Sequence, residues 1–100
     1  MNLSGSSLLL LEDEPLLRRR LAAHFGKQGV EVTNATSLAE ARHALRDLDF
    51  DFALLDVNLP DGRCLDLLVE KAVSASVGVV VMTAEGGVAG AVEAMRLGAA

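Results

Sequence analysis

Aromatic residues are scarce: the 100-residue chain has no tryptophan, no tyrosine and three phenylalanines. Its core must therefore be built from Leu, Val and Ala, as in helices packed on an aliphatic sheet. Cysteine occurs once, at Cys64, which excludes an internal disulfide and fits a reducing, cytoplasmic setting. Basic side chains are the minority, 9 Lys and Arg against 14 Asp and Glu. The resulting net charge of −5 makes neither nucleic acid nor an anionic membrane the default partner. No apolar run is long enough to span a bilayer, and "MNLSGSS" lacks the basic start of a signal peptide. Residues 1–7 read as a short polar leader. No repeat, low-complexity tract or linker divides the rest, so one small domain is expected.

What is present is punctuation by buried strands. Leu8–Leu11 is a short continuous apolar run, as suits a strand covered on both faces. Pro15 can open a helix whose Leu17, Leu21, Ala22 and Phe25 recur at helical spacing, with Gly29 as its left-handed stop. "VEVTNA" at 30–35 alternates like a strand at or near a sheet edge. Ser37 and Glu40 form a capping box before a helix faced by Leu38, Ala41, Ala44, Leu45 and Leu48. "DFALLDV" at 51–57 and "GVVVMT" at 78–83 read as further buried strands. Between them lie a turn, "LPDG" at 59–62, and a helix, "CLDLLVEKAV" at 64–73. "VAGAVEAMRLG" at 88–98 reads as a last helix. Strands and helices alternate, which argues for an open parallel sheet with helices on both faces.

In such sheets ligands gather at the carboxyl ends of the strands. Those ends carry Glu12 and Asp13, then Asp56, then Thr83. Each close carboxylate pair costs about 1–4 kcal/mol at 4 Å for effective dielectrics between 80 and 20, so a hard cation would offset the crowding. Magnesium (Mg2+) fits, because one or two carboxylates hold it with room left for waters and a phosphate oxygen. Other features carry less. The "RRR" at 18–20 fans out around a helix and reads as a solvated face. His24 and His43 lack metal-ligand spacing and read as surface residues, and Cys64 reads as packing.

Taken in order, Glu12-Asp13, "LLDVNLPDG" around Asp56, "MTAEG" around Thr83 and "AVEAMRLGA" make the chain resemble a known family. It is similar over residues 8–100 to the CheY-like receiver domain of bacterial two-component response regulators. The resemblance implies a flavodoxin-like α/β fold with a parallel sheet of strand order 2-1-3-4-(5). It implies that Asp56 accepts a phosphoryl group and that Asp13 is a direct magnesium ligand, with Glu12 acting more through water. The Asn58 carbonyl would complete the metal shell. Thr83 would bond the phosphoryl group, Ala84 would leave it room, and Glu85 could tune its lifetime.

The family also has a fifth strand ending in a lysine and a last helix. No lysine here fills that place: Lys27 ends the first helix, Lys71 lies in the third, and the sequence stops at "LGAA". The expectation is a receiver domain over 8–100 that is truncated at its C-terminus. Its fourth strand would then be an open edge that invites strand exchange or a dimer. The expected function is a switch, not an enzyme. A sensor histidine kinase phosphorylates Asp56, and the change acts on an output domain or a downstream protein. No direct nucleic-acid contact and no membrane are expected. The tail is reminiscent of regulators that activate sigma-54 transcription. The alternative is a pseudo-receiver, the same fold used as an interaction or dimerisation module without phosphorylation. A haloacid-dehalogenase phosphohydrolase fits poorly, since Asn58 stands where that family needs a second aspartate. "EGGVAG" at 85–90 also fails the dinucleotide pattern, because Glu85 occupies its first glycine.

Overall fold

The computed structural model describes residues 4–82. The expectations for Thr83, Ala84, Glu85, the helix over 88–98 and the carboxyl-terminal limit of the domain lie outside the described residues. The chain runs β1 (Ser7–Leu11), α1 (Pro15–Lys27), β2 (Glu31–Ala35), α2 (Leu38–Asp47) and β3 (Phe52–Asp56). It continues through β4 (Asn58–Leu59), β5 (Gly62–Arg63), α3 (Leu65–Val69) and β6 (Gly78–Met82). One parallel sheet has the order β2-β1-β3-β6, which is the 2-1-3-4 order expected, with β6 as its fourth strand. The "LPDG" turn is the tip of a small antiparallel hairpin, β4-β5, outside that sheet.

The four leucines of β1 explain the layering. Side chains alternate across a strand, so consecutive leucines can serve two cores only if both faces are covered. Leu8 and Leu10 join Leu21 and Phe25 of α1, with Leu54 and Val80, on one face. Leu9 and Leu11 join Leu38 and Ala41 of α2, with Leu55, Cys64 and Leu67, on the other. None of the four is solvent-accessible. β2 lies at the sheet edge, as its alternation suggested. Among the described residues β6 is the opposite outer strand; it is less buried than its apolar run suggests, with Val81 44% exposed.

The helix ends show where polar side chains go. Glu14 caps α1, accepting from the N–H groups of Leu16 and Leu17 at 3.1 and 2.6 Å, while Pro15 has no N–H to satisfy. At the other end Gly29 has φ +81, and the Val30 N–H turns back to the Phe25 carbonyl at 3.1 Å. On α2 the capping box is only half made. The Ser37 hydroxyl accepts from the Glu40 N–H at 3.2 Å, but the Glu40 carboxylate accepts from the Thr36 N–H at 2.6 Å rather than from Ser37.

The two remaining donors of α2, the N–H groups of Leu38 and Ala39, go to the Asp61 carboxylate at 2.8 and 3.1 Å. These bonds to the helix start hold the Asp61 carboxyl below the usual carboxylate range. Asp61 thus fastens the hairpin that follows Asp56 onto α2. Gly62 permits the approach, because a Cβ there would sit 2.7 Å from Leu38 Cδ1, at φ +146.

Two helical expectations are corrected. Leu48 is the C-cap of α2 and is 51% exposed, and Phe50 is buried in its place. The helix expected over 64–73 stops at Val69. Lys71 adopts φ +58, and the Ala72 N–H closes back on the Leu67 carbonyl at 2.9 Å.

Candidate functional site

β1 leaves the sheet at Glu12, whose N–H makes a final bond to the Ala35 carbonyl of β2 at 3.0 Å. Because β3 runs parallel beside β1, with Leu55 opposite Leu11, Asp56 reaches the same rim. Glu12, Asp13 and Asp56 each offer a carboxylate oxygen, and the three atoms lie within 4.8 Å of one another. The residues grade from buried Glu12 through half-buried Asp56 to exposed Asp13.

This arrangement strains the acids electrostatically. Burial pushes the Glu12 carboxyl up from an ordinary 4.5 to about 7, and the Asp56 charge adds to the rise. A bond from the Glu14 N–H to Glu12 Oε2, at 3.0 Å, pulls the other way without cancelling it. Asp56 is also raised, by burial first; a hydrogen bond with Glu12 opposes the rise and Asp13 adds to it. Glu12 and Asp56, hydrogen-bonded to each other and both raised, therefore bind a proton as a pair. A divalent cation bound by the three oxygens would replace that proton and relieve the repulsion. The donor set is hard, anionic and all-oxygen, which suits magnesium or calcium and not a thiophilic metal.

A pH prediction follows with its sign. Glu12 titrates higher in the folded chain than unfolded, so the fold binds the extra proton between 4.5 and about 7. That contribution to stability is complete below 4.5 and lost as pH rises through about 7. The metal-free thermal midpoint should fall over this window more steeply in the wild type than in Glu12→Gln. Equal slopes for the two proteins would show that Glu12 is not the group responsible.

The remaining expected site residues are placed as follows. Asn58 opens β4 two residues beyond Asp56, exposed, and pairs with Arg63 across the hairpin. Thr83 directly follows Met82, the last residue of β6, and lies with Ala84 and Glu85 outside the described residues. Cys64 is fully buried, and burial pushes its thiol up, consistent with packing. His24 is half-buried, edge-on to Phe25, and His43 is exposed beside Asp47.

Sequence reasoning missed two polar contacts beside this site. Asp61 was read only as part of a turn, yet it caps α2. Arg18 was read as part of a solvated face, yet its guanidinium Nη1 donates to the carbonyls of Glu12 and Asp13, at 3.1 and 3.4 Å. Arg18 lies one helical turn beyond Glu14, which is the only signal that could have suggested it.

Comparison with known proteins agrees with the geometry. The family model "Response regulator receiver domain" matches residues 8–100. Response regulator protein PilR of Pseudomonas aeruginosa is 33% identical over 99 residues, covering 97% of this chain and 22% of PilR. Transcriptional regulatory protein FixJ of Azorhizobium caulinodans is 40% identical over 92 residues, covering 91% of this chain and 44% of FixJ. The solved non-phosphorylated HemR receiver domain of Leptospira biflexa is 30% identical. It superposes with a TM-score of 0.72 over 95% of this chain and 77% of its own. The chain thus spans less than half the length of these two curated relatives.

Proposed function

The chain belongs to the response regulator receiver family, and from that premise we propose that it is a phosphorylatable switch whose acceptor is Asp56. A receiver domain is a signalling module, not an enzyme acting on an outside substrate. The observation that carries the proposal is the meeting of Glu12, Asp13 and Asp56 within 4.8 Å at the ends of two adjacent strands.

In the proposed reaction an Asp56 carboxylate oxygen attacks the phosphorus of a phosphohistidine on a sensor histidine kinase. The P–N bond breaks, the imidazole leaves with the electron pair, and an acyl phosphate forms on Asp56. Such transfer depends mainly on alignment and charge neutralisation. Glu12, Asp13, Asp56 and the Asn58 carbonyl are the groups that would hold magnesium, and the ion would supply positive charge against the phosphoryl oxygens. The residues of the chain do the rest. Asp56 must be ionised to attack, and Glu12 and Asp13 hold their carboxylates beside it. The Thr83 hydroxyl donates to the phosphoryl group, Ala84 leaves it space, and Glu85 influences its hydrolysis.

Phosphorylation adds up to about −2 of charge and three strong acceptors at the rim, enough to bias a two-state element. The name of FixJ, a transcriptional regulatory protein, supports regulation of transcription as the output, which we place in the cytoplasm and assign to an attached domain. Activation of sigma-54 transcription is the form of output we propose. Among the described residues no helix is long and apolar enough to cross a membrane.

The test is to incubate the full-length protein with magnesium and a small acyl-phosphate donor and to measure its intact mass. One added phosphate is expected on the wild type and none on Asp56→Asn. No gain in the wild type, or an equal gain in Asp56→Asn, would overturn the proposal and favour a pseudo-receiver.

A further inference from the structure

The arginine triplet at 18–20 is not one uniform charged face. Arg19 and Arg20 are exposed, whereas Arg18 is half-buried against the loop that carries the acids. Its Nη1 donates to the Glu12 carbonyl at 3.1 Å and to the Asp13 carbonyl at 3.4 Å. Its own main-chain N–H donates to the Glu14 carbonyl at 3.0 Å. One residue thus collects three consecutive carbonyls of the acidic loop.

The other side of the loop is tied as well. The Glu12 N–H is held by Ala35, and the Glu14 N–H by the Glu12 carboxylate. Without the guanidinium, the carbonyls of Glu12 and Asp13 would lose that donor, and the loop could turn to spread its crowded carboxylates. Arg18 forms no ion pair with Glu12, Asp13 or Asp56 among the described residues. It fixes the main chain and leaves the carboxylate oxygens available.

Resting on the metal reading above, we propose that Arg18 is a positioning residue for the cation site. It sets the backbone of Glu12 and Asp13 so that their carboxylates converge with Asp56. Groups that orient metal ligands from outside the coordination shell typically contribute 10–100-fold to affinity.

The triplet supplies its own controls, because Arg18→Gln, Arg19→Gln and Arg20→Gln each remove one positive charge from the same turn. Calorimetric titration of magnesium into the full-length proteins should show about a tenfold loss for Arg18→Gln, the low end of that range. Arg19→Gln and Arg20→Gln should stay within about twofold of wild type, since exposed charges at a distance are largely screened. Arg18→Lys keeps the charge and a single donor nitrogen, so its affinity should fall between wild type and Arg18→Gln. The carbonyl carbon shifts of Glu12 and Asp13 in metal-free protein should move in Arg18→Gln and not in Arg19→Gln.

Wild-type affinity in Arg18→Gln, or equal losses across the triplet, overturns the inference and leaves the metal site standing. A wild type that binds no magnesium overturns the metal site and the inference with it. If Arg18→Gln fails to fold, Arg18→Lys is compared with Arg19→Lys and Arg20→Lys. A selective loss in Arg18→Lys supports positioning, and equal affinities overturn it.

Discussion

Replacing Asp13 by asparagine is expected to abolish most magnesium affinity while raising the stability of the metal-free protein. Both effects come from one charge. Asp13 contributes one of three carboxylate oxygens lying within 4.8 Å of each other, so in the absence of a cation its charge opposes folding. At that spacing a like-charge pair is worth about 1–4 kcal/mol for effective dielectrics between 80 and 20. Asp13 is the exposed member of the trio, which places the result at the weak end of that range. A divalent ion doubles the product of charges, so removing Asp13 should cost at least about 2 kcal/mol of binding, a loss of roughly 30-fold. Thermal unfolding in chelator should show a higher midpoint for Asp13→Asn than for wild type. Adding magnesium should raise the wild-type midpoint and barely move the variant. Magnesium binding unchanged in Asp13→Asn would sink the assignment of this residue as a ligand. Isosteric replacement matters here, because a larger side chain would disturb the exposed loop as well as its charge.

Buried strands announce themselves, because a strand covered on both faces must be apolar at every position. Leu8–Leu11 and Ala53–Leu55 are such runs, and the abrupt acids after them marked the rim. Sheet order came only with the family resemblance, since alternation of strands and helices leaves several parallel orders open. Periodicity reports burial but not the partner of a polar side chain. Asp61 reaches amides 23 and 22 residues earlier, and nothing local in "LPDG" says so. Arg18 is one of three identical residues, and only the docking of α1 against the end of β1 makes it different. The stop of α3 was invisible for another reason. Lys71 takes the left-handed conformation usually left to glycine, so no glycine marks the helix end. Ala72 and Val73 still pack on the core beyond it, which preserved the apolar pattern that suggested a longer helix.

The largest effect on stability should come from Leu10→Ala. Leu10 is fully buried in the central strand pair, between Asn34 of β2 and Leu54 of β3, and packs on the α1 face with Leu21 and Phe25. A Leu→Ala change at such a site costs about 3–5 kcal/mol, because neighbouring side chains cannot close the space. A small domain has only about 5–15 kcal/mol in total. At roughly 4–8 °C per kcal/mol for a chain of this size, the midpoint should fall by roughly 12–40 °C. Leu48→Ala is the control: Leu48 is 51% exposed at the end of α2, and its replacement should stay within about 0.5 kcal/mol. Denaturant titration of both variants checks the contrast, and a Leu10→Ala loss under about 1 kcal/mol would contradict the two-faced burial of β1. The same variant separates the core from the site. Leu10 faces α1, whereas Leu11, next to Glu12, faces α2 and α3. Well below its midpoint, Leu10→Ala should therefore bind magnesium as tightly as wild type, and Leu11→Ala should lose stability and affinity together.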